Sequence, residues 1–193
     1  MSKRMVDYHP EGIYHLYNRG VDGREIFLNH NNYTFFRNKI ISYALLTNNS
    51  IIAFCLMPTH YHLLVRQNGV KSAGLICQLS CNSYSKAFNS MNHRTGALFE
   101  SRYKSIFVDR DEYLYQLCRY IHANPVRAGL VTTPEKWLYS DYQYWINDAE
   151  DYDDPSSIKG YFSNGVEYRT FVLDYLNDIA SIPRGFNKYT LEE

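Results

Sequence analysis

Two short runs on either side of Pro58-Thr59 constrain this chain more than any other feature. Ile51 to Met57 (IIAFCLM) has the length and composition of a buried strand. Residues 60 to 66 (HYHLLVR) alternate with the period of two that a strand imposes on its side chains. Two intervening residues leave no room for a crossover, so the segments must pair antiparallel as neighbours in one sheet. The same alternation runs through Gly12 to Arg19 (GIYHLYNR), and Lys104 to Val108 (KSIFV) reads as a further strand.

The segments between these strands change to helical spacing. Tyr33, Phe36, Ile40, Tyr43 and Ala44 predict a helix that Asn29 or Asn31 can cap and that runs to about Thr47. Leu75, Leu79, Ala87 and Phe88 predict a second from Lys71 to about Met91. A third, YLYQLCRYIHANP, is capped by Asp111 and should stop near Pro125, which cannot continue the hydrogen-bond ladder. The order of elements predicts an α+β fold, a ferredoxin-like antiparallel sheet with helices packed on one face, plus a C-terminal extension. Beyond Leu130 the pattern weakens into WLYSDYQYW, an acidic loop NDAEDYDDPSS and a last amphipathic helix near Glu167 to Leu176. The expected division is a domain over 1–146 and an acidic extension over 147–193 packed on the same domain.

At 193 residues the chain can bury one proper core. Its first twenty residues contain no apolar export segment and no uncharged run approaches a membrane span, so the expectation is a soluble cytoplasmic protein. Cys55, Cys77, Cys81 and Cys118 read as reduced core thiols; Cys77 and Cys81 lie four apart, but no second pair stands at zinc-finger spacing. The formal charge is zero, which argues against nucleic-acid binding until its distribution is considered. Residues 1 to 127 hold 15 Lys and Arg against 8 Asp and Glu, whereas residues 128 to 193 hold 5 against 12. A basic body thus carries an acidic tail, and such a tail can cover or restrain a phosphate-binding face. Nineteen tyrosines offer stacking faces for unpaired bases.

His60 and His62 stand two apart on a strand, so both imidazoles face the same side of the sheet and can chelate one divalent metal. An isolated pair of this kind is more often two ordinary histidines. On the third helix Leu114, Leu117, Cys118 and Ile121 form an apolar stripe, with Tyr120 and Asn124 together on its flank. A phenol and an amide four apart can serve one site. By helical angle Tyr113 and Gln116 share that flank, and spacing alone does not choose between the pairs.

The segments YHLYNRG (14 to 20), CLMPTHYHLLV (55 to 65), LFESRYKS (98 to 105) and RYIHANPVRAGLV (119 to 131) resemble, in order, the REP-associated tyrosine transposases of the HUH superfamily. The resemblance covers about residues 8 to 145. It implies metal ligation by His60 and His62, with Asn124 as third ligand, and Tyr120 as nucleophile. It further implies Mg²⁺ or Mn²⁺ as cofactor and single-stranded or hairpin DNA with a flanking tetranucleotide as partner. A monomer is favoured, and a dimer by helix exchange stays open. Thr59 stands where the family more often has Asn, and Ala123 replaces a Leu; neither change removes a reacting group. Arg19, Arg24, Arg102, Lys104 and Arg127 are candidate phosphate contacts, while His15 and His122 read as structural or substrate-adjacent.

The implied activity is a metal-dependent single-strand endonuclease and strand transferase that forms a 5'-phosphotyrosine intermediate at hairpin-flanking repeats. Two alternatives stand beside it. A non-catalytic single-stranded nucleic-acid-binding module would need the sheet but not the converging reactive groups. A zinc hydrolase would need a general base that no motif supplies.

Overall fold

The computed structural model describes residues 6–147, 162–177 and 186. The acidic loop therefore lies, apart from Asn147, outside the described residues. Strands β1 (Ile13–Arg19), β2 (Asn49–Leu56), β3 (His60–Gln67) and β4 (Lys104–Phe107) form one antiparallel sheet in the order β2-β3-β1-β4. Helix α1 (His30–Thr47) connects β1 to β2, and α2 (Gly74–Met91) connects β3 to β4. Helix α3 (Asp111–Arg127) follows the sheet, with the short α4 (Tyr142–Ile146) and then α5 (Gly165–Asn177) packed beyond it. This is the predicted α+β arrangement, and no described helix is long and apolar enough to cross a membrane.

The β2–β3 hairpin turns at Pro58-Thr59 as expected, closed by hydrogen bonds between Met57 and His60. Its tip is anchored from outside: the Pro58 carbonyl accepts from the Ile26 N–H at 2.7 Å and the Thr59 carbonyl from Gly20 at 2.8 Å. Helix α1 starts at the predicted Asn29 cap, whose side chain accepts from the Asn32 N–H. Asn48 ends it in the left-handed region at φ 52°, a conformation that Asn tolerates better than most residues.

The expectation of helices on one face is corrected by the packing. Tyr14, Leu16, Phe54, Leu56, Tyr61, Leu63 and Val65 meet α1 and α2 in one core. Ala53, Cys55, Met57 and Leu64, from the opposite face, meet α3, α4 and α5 in a second. Both faces of the central strands are apolar, and two helices cannot bury both. The other correction concerns α3, which opens at its expected cap, Asp111, one residue earlier than predicted, with Arg110 in the capping position, and continues two residues past Pro125. Proline removes only its own donor, and the ladder resumes with the Ala128 N–H on the Asn124 carbonyl and Leu130 on Pro125.

The predicted stripe of Leu114, Leu117, Cys118 and Ile121 is buried, but so is every residue from Leu117 to Pro125. The sheet covers one side of α3 and α5 the other. This second interface contains a polar clasp with no exposure to solvent, in which His122 Nε2 lies 2.9 Å from Asp141 Oδ1. The same carboxylate oxygen accepts from the Phe54 N–H at 2.7 Å, and His122 Nδ1 contacts the Tyr168 hydroxyl. Asp141 thus joins β2, α3 and α4, and His122 extends the connection to α5. Replacing Asp141→Ala orphans a backbone donor and an imidazole in the core, with an expected loss of about 3 kcal/mol of stability. Arg169→Ala, which removes an exposed partner of Glu135, should cost under about 1 kcal/mol. Urea-unfolding midpoints of the two variants check the contrast.

Candidate functional site

Strand β3 places His60 and His62 on the sheet face that α3 covers. His62 is fully buried and His60 is 7% exposed. The rings stand nearly perpendicular with centroids 5.0 Å apart. Each imidazole is engaged through Nδ1: His60 with the Thr59 hydroxyl at 2.9 Å, His62 with His15 Nε2 at 3.0 Å. The two Nε2 atoms are buried and make no hydrogen bond among the described residues. Two imidazoles fixed at one nitrogen, with the other left unengaged, suit a divalent cation.

Helix α3 brings Tyr120 to this pair, its ring centroid 5.5 Å from that of His62 in an edge contact. The alternative, Tyr113, lies two turns earlier, under the Arg110 guanidinium and against Phe186. Asn124 is one turn beyond Tyr120, and its amide nitrogen is buried without a hydrogen-bond partner. The oxygen and nitrogen of such an amide exchange places by a half-turn. Among the described residues no three His, Cys, Asp or Glu side chains form a metal cage. The groups here that could serve as donors to a cation are two imidazoles and an amide. Cys77 and Cys81 belong to the other core, where burial raises both thiols and Cys81 contacts the Tyr61 hydroxyl, as expected of unreactive core cysteines.

The candidate cations fall into two groups. Arg19 pairs with His60 across the β1–β3 register and ion-pairs with Glu100. Lys104 pairs with Tyr17, which pairs with His62, so a single rung crosses the sheet beside the site; its ammonium lies 5.9 Å from the Tyr17 ring centroid. Arg127 sits 5.9 Å from the Tyr120 ring centroid and donates to the Tyr175 hydroxyl. By contrast Arg24 folds back on its own turn, donating to the Val21 carbonyl, and Arg102 is exposed in the segment before β4.

Several placements needed the tertiary structure, including that of His15, which the sequence marked only as structural or substrate-adjacent. His15 and Tyr17 lie two apart on β1 and face the histidine pair, a placement that the alternation of β1 contained but that needed the β1–β3 register to interpret. Arg119 is buried between the rings of Phe171 and Tyr175. Tyr120 was expected on the flank of the apolar stripe, and it is only 4% exposed, with Phe186 centred 6.3 Å away. The reason is the double burial of α3, which leaves no open flank. A cleft of about 380 Å³, lined by His9, Glu11, Phe107 and Arg110 among others, lies at the opposite end of β1 from His60 and includes none of these groups.

Burial dominates the electrostatics. It pushes the His60 imidazole down from 6.5 to about 4, with the Arg19 charge adding to the effect. His62 is lowered further, by burial first and then by His60 and His15. Both rings are neutral at pH 7 and retain a lone pair for a cation. The unfolded chain takes up protons below about pH 6.5 that the folded chain refuses until about pH 4, so this contribution to stability is complete above that window and lost as pH falls through it. The metal-free protein should therefore lose stability on the order of a few kcal/mol between pH 6.5 and 4, less so in His60→Gln. Urea titrations across that range measure the effect, and equal slopes in the two proteins would contradict it.

Comparison with known proteins places the chain in a family. The profile of the family "Transposase IS200 like" matches residues 11–124, an interval that runs from the start of β1 to Asn124. A Haemophilus influenzae protein named "Putative REP-associated tyrosine transposase" is 26% identical in an alignment 103 residues long that covers 47% of this chain and 57% of that one. The chain thus spans little more than half the length of this curated relative. A solved REP-associated tyrosine transposase bound to a REP hairpin matches with a TM-score of 0.62 at 19% identity, covering 76% of this chain and 86% of that one, and shares the fold. With the family profile matched over more than half of its length, this chain belongs to the IS200-like transposase family and is similar to the REP-associated tyrosine transposases.

Proposed function

We propose that this protein cuts and rejoins single-stranded DNA beside a hairpin through a covalent tyrosine intermediate. The observation that carries the reading is the edge contact of Tyr120 with His62, beside two neutral imidazoles whose Nε2 atoms are unengaged. Tyr120 Oη attacks the phosphorus, the bond to the 3'-oxygen breaks, and a 5'-phosphotyrosine forms. The phenol gives up one proton and the departing 3'-hydroxyl gains one, so no water is consumed. Because the phosphodiester is exchanged rather than hydrolysed, a 3'-hydroxyl can attack in return and rejoin strands.

His60 and His62 through Nε2, and Asn124 through its amide oxygen, would hold Mg²⁺ or Mn²⁺. When bound, the ion supplies Lewis-acid stabilisation of the charge that builds on the phosphate oxygens. Burial keeps the two rings neutral and aimed, and the Tyr120 phenol must lose its proton during attack. Arg19, Lys104 and Arg127 surround the site and supply positive charge for the backbone on either side of the cut. Arg24 and Arg102 would contact phosphates further along. The domain of residues 1–146 carries the chemistry, and residues 147–193 are an acidic extension whose helix α5 packs against α3.

One observation favours a second reading. Tyr120 is covered by Phe186 and Arg127, and a covered nucleophile suits a module that holds hairpin DNA without cleaving it. A labelled single-stranded hairpin incubated with Mn²⁺ and resolved on a denaturing gel separates the two. A covalent adduct in the wild type, lost at least 100-fold in Tyr120→Phe and in His62→Ala, is the expected result. DNA binding with no adduct under any divalent ion would establish the binding module instead.

A further inference from the structure

His15 has no part in the reaction as described, yet it is completely buried beside the site. Its ring lies nearly parallel to that of His62, with a 22° interplanar angle and centroids 5.1 Å apart, and its Nε2 is 3.0 Å from His62 Nδ1. We propose that His15 is a positioning residue that accepts a hydrogen bond from His62 Nδ1–H, holding His62 in the tautomer whose Nε2 lone pair faces the cation. The proposal rests on the reading of His60 and His62 as metal ligands.

The direction of this hydrogen bond follows from counting protons. A neutral imidazole has one N–H and one lone pair, so two neutral rings in contact must divide the roles of donor and acceptor. Were His15 the donor, His62 Nδ1 would accept and Nε2 would carry the proton. That proton would then sit on a buried nitrogen with no acceptor among the described residues, and the atom would have nothing to offer a metal. With His62 as donor, the same buried nitrogen becomes a ligand. His60 is tethered in the corresponding way, Nδ1 to the Thr59 hydroxyl. The two tethers differ in constraint: a hydroxyl rotates freely, whereas the fully buried His15 ring, lying against the rings of Tyr17 and His62, presents one fixed atom, Nε2, to His62 Nδ1. His15 therefore governs which nitrogen of His62 is available.

Two measurements test this. Long-range ¹H–¹⁵N correlation spectra of the metal-free protein report which ring nitrogen of His62 is protonated, and Nδ1–H is expected. Mn²⁺ affinity without DNA is read from the free-ion paramagnetic resonance signal. His15→Phe keeps the ring volume but removes the acceptor and should weaken Mn²⁺ binding roughly 10–100-fold. His15→Gln restores an acceptor near the Nε2 position and should recover most of that loss. A proton on Nε2 of His62 in the wild type, or wild-type Mn²⁺ affinity in a folded His15→Phe, overturns the proposal. Should His15→Phe fail to fold, the wild-type spectrum still decides. Nδ1–H on His62 together with no Mn²⁺ binding by the wild type would uphold the His15 contact and overturn the metal reading on its own.

Discussion

Strand β3 is hydrogen-bonded on both sides and buried on both faces, and the rest of the structure depends on this. Its alternation sends Tyr61, Leu63 and Val65 into the core beneath α1 and α2, and His60, His62 and Leu64 toward α3. A slip of one residue would exchange the two sets, placing imidazoles in an apolar core and tyrosine and leucine at the site. Register is held by the hairpin closure at Met57 and His60 and by the bonds that the β1–α1 connection makes to the Pro58 and Thr59 carbonyls. The local geometry of one tight turn thus decides where the candidate chemistry occurs.

Burial gives this site its character. In an apolar interior an imidazole cannot easily hold a proton, so the histidine pair remains neutral where exposed histidines would begin to charge. The same burial closes the site. Helix α3 is wrapped on its outer side by α5, with Arg119 between aromatic rings and the His122–Asp141 pair fully enclosed. This interface sets the rotation of α3 and hence the direction in which Tyr120 points. It also leaves the phenol in a covered position beneath Phe186, so accurate placement and access to substrate pull in opposite directions.

The cations divide along the same lines. Arg19 and Lys104 take positions on strand rungs next to the histidines, and their neighbours Glu100 and Tyr17 hold them there. An exposed ion pair such as Arg19–Glu100 is weak in water and easily exchanged for a phosphate partner. The basic character of residues 1 to 127 thus has a local counterpart at the site, although the chain as a whole is neutral.

Strand limits, the β2–β3 hairpin, the shared face of His60 and His62 and the single-turn spacing of Tyr120 and Asn124 were all legible in the sequence. Each depends on a backbone period of two or 3.6 and on contacts within a few residues. Which side of the sheet α3 would occupy was not legible, because periodicity shows which residues of an element are buried but not against what. Sequence spacing left Tyr113 and Tyr120 equivalent; the packing set Tyr120 beside His62 and Tyr113 beside Arg110 and Phe186. The short α4 was missed because five residues are too few to show a helical period. His15 meets His62 across 47 positions and His122 meets Tyr168 across 46. Such contacts arise only when strands and helices from distant parts of the chain are packed together, so the sequence by itself determined the candidate reactive groups, and the tertiary structure alone decided their partners, protonation and access.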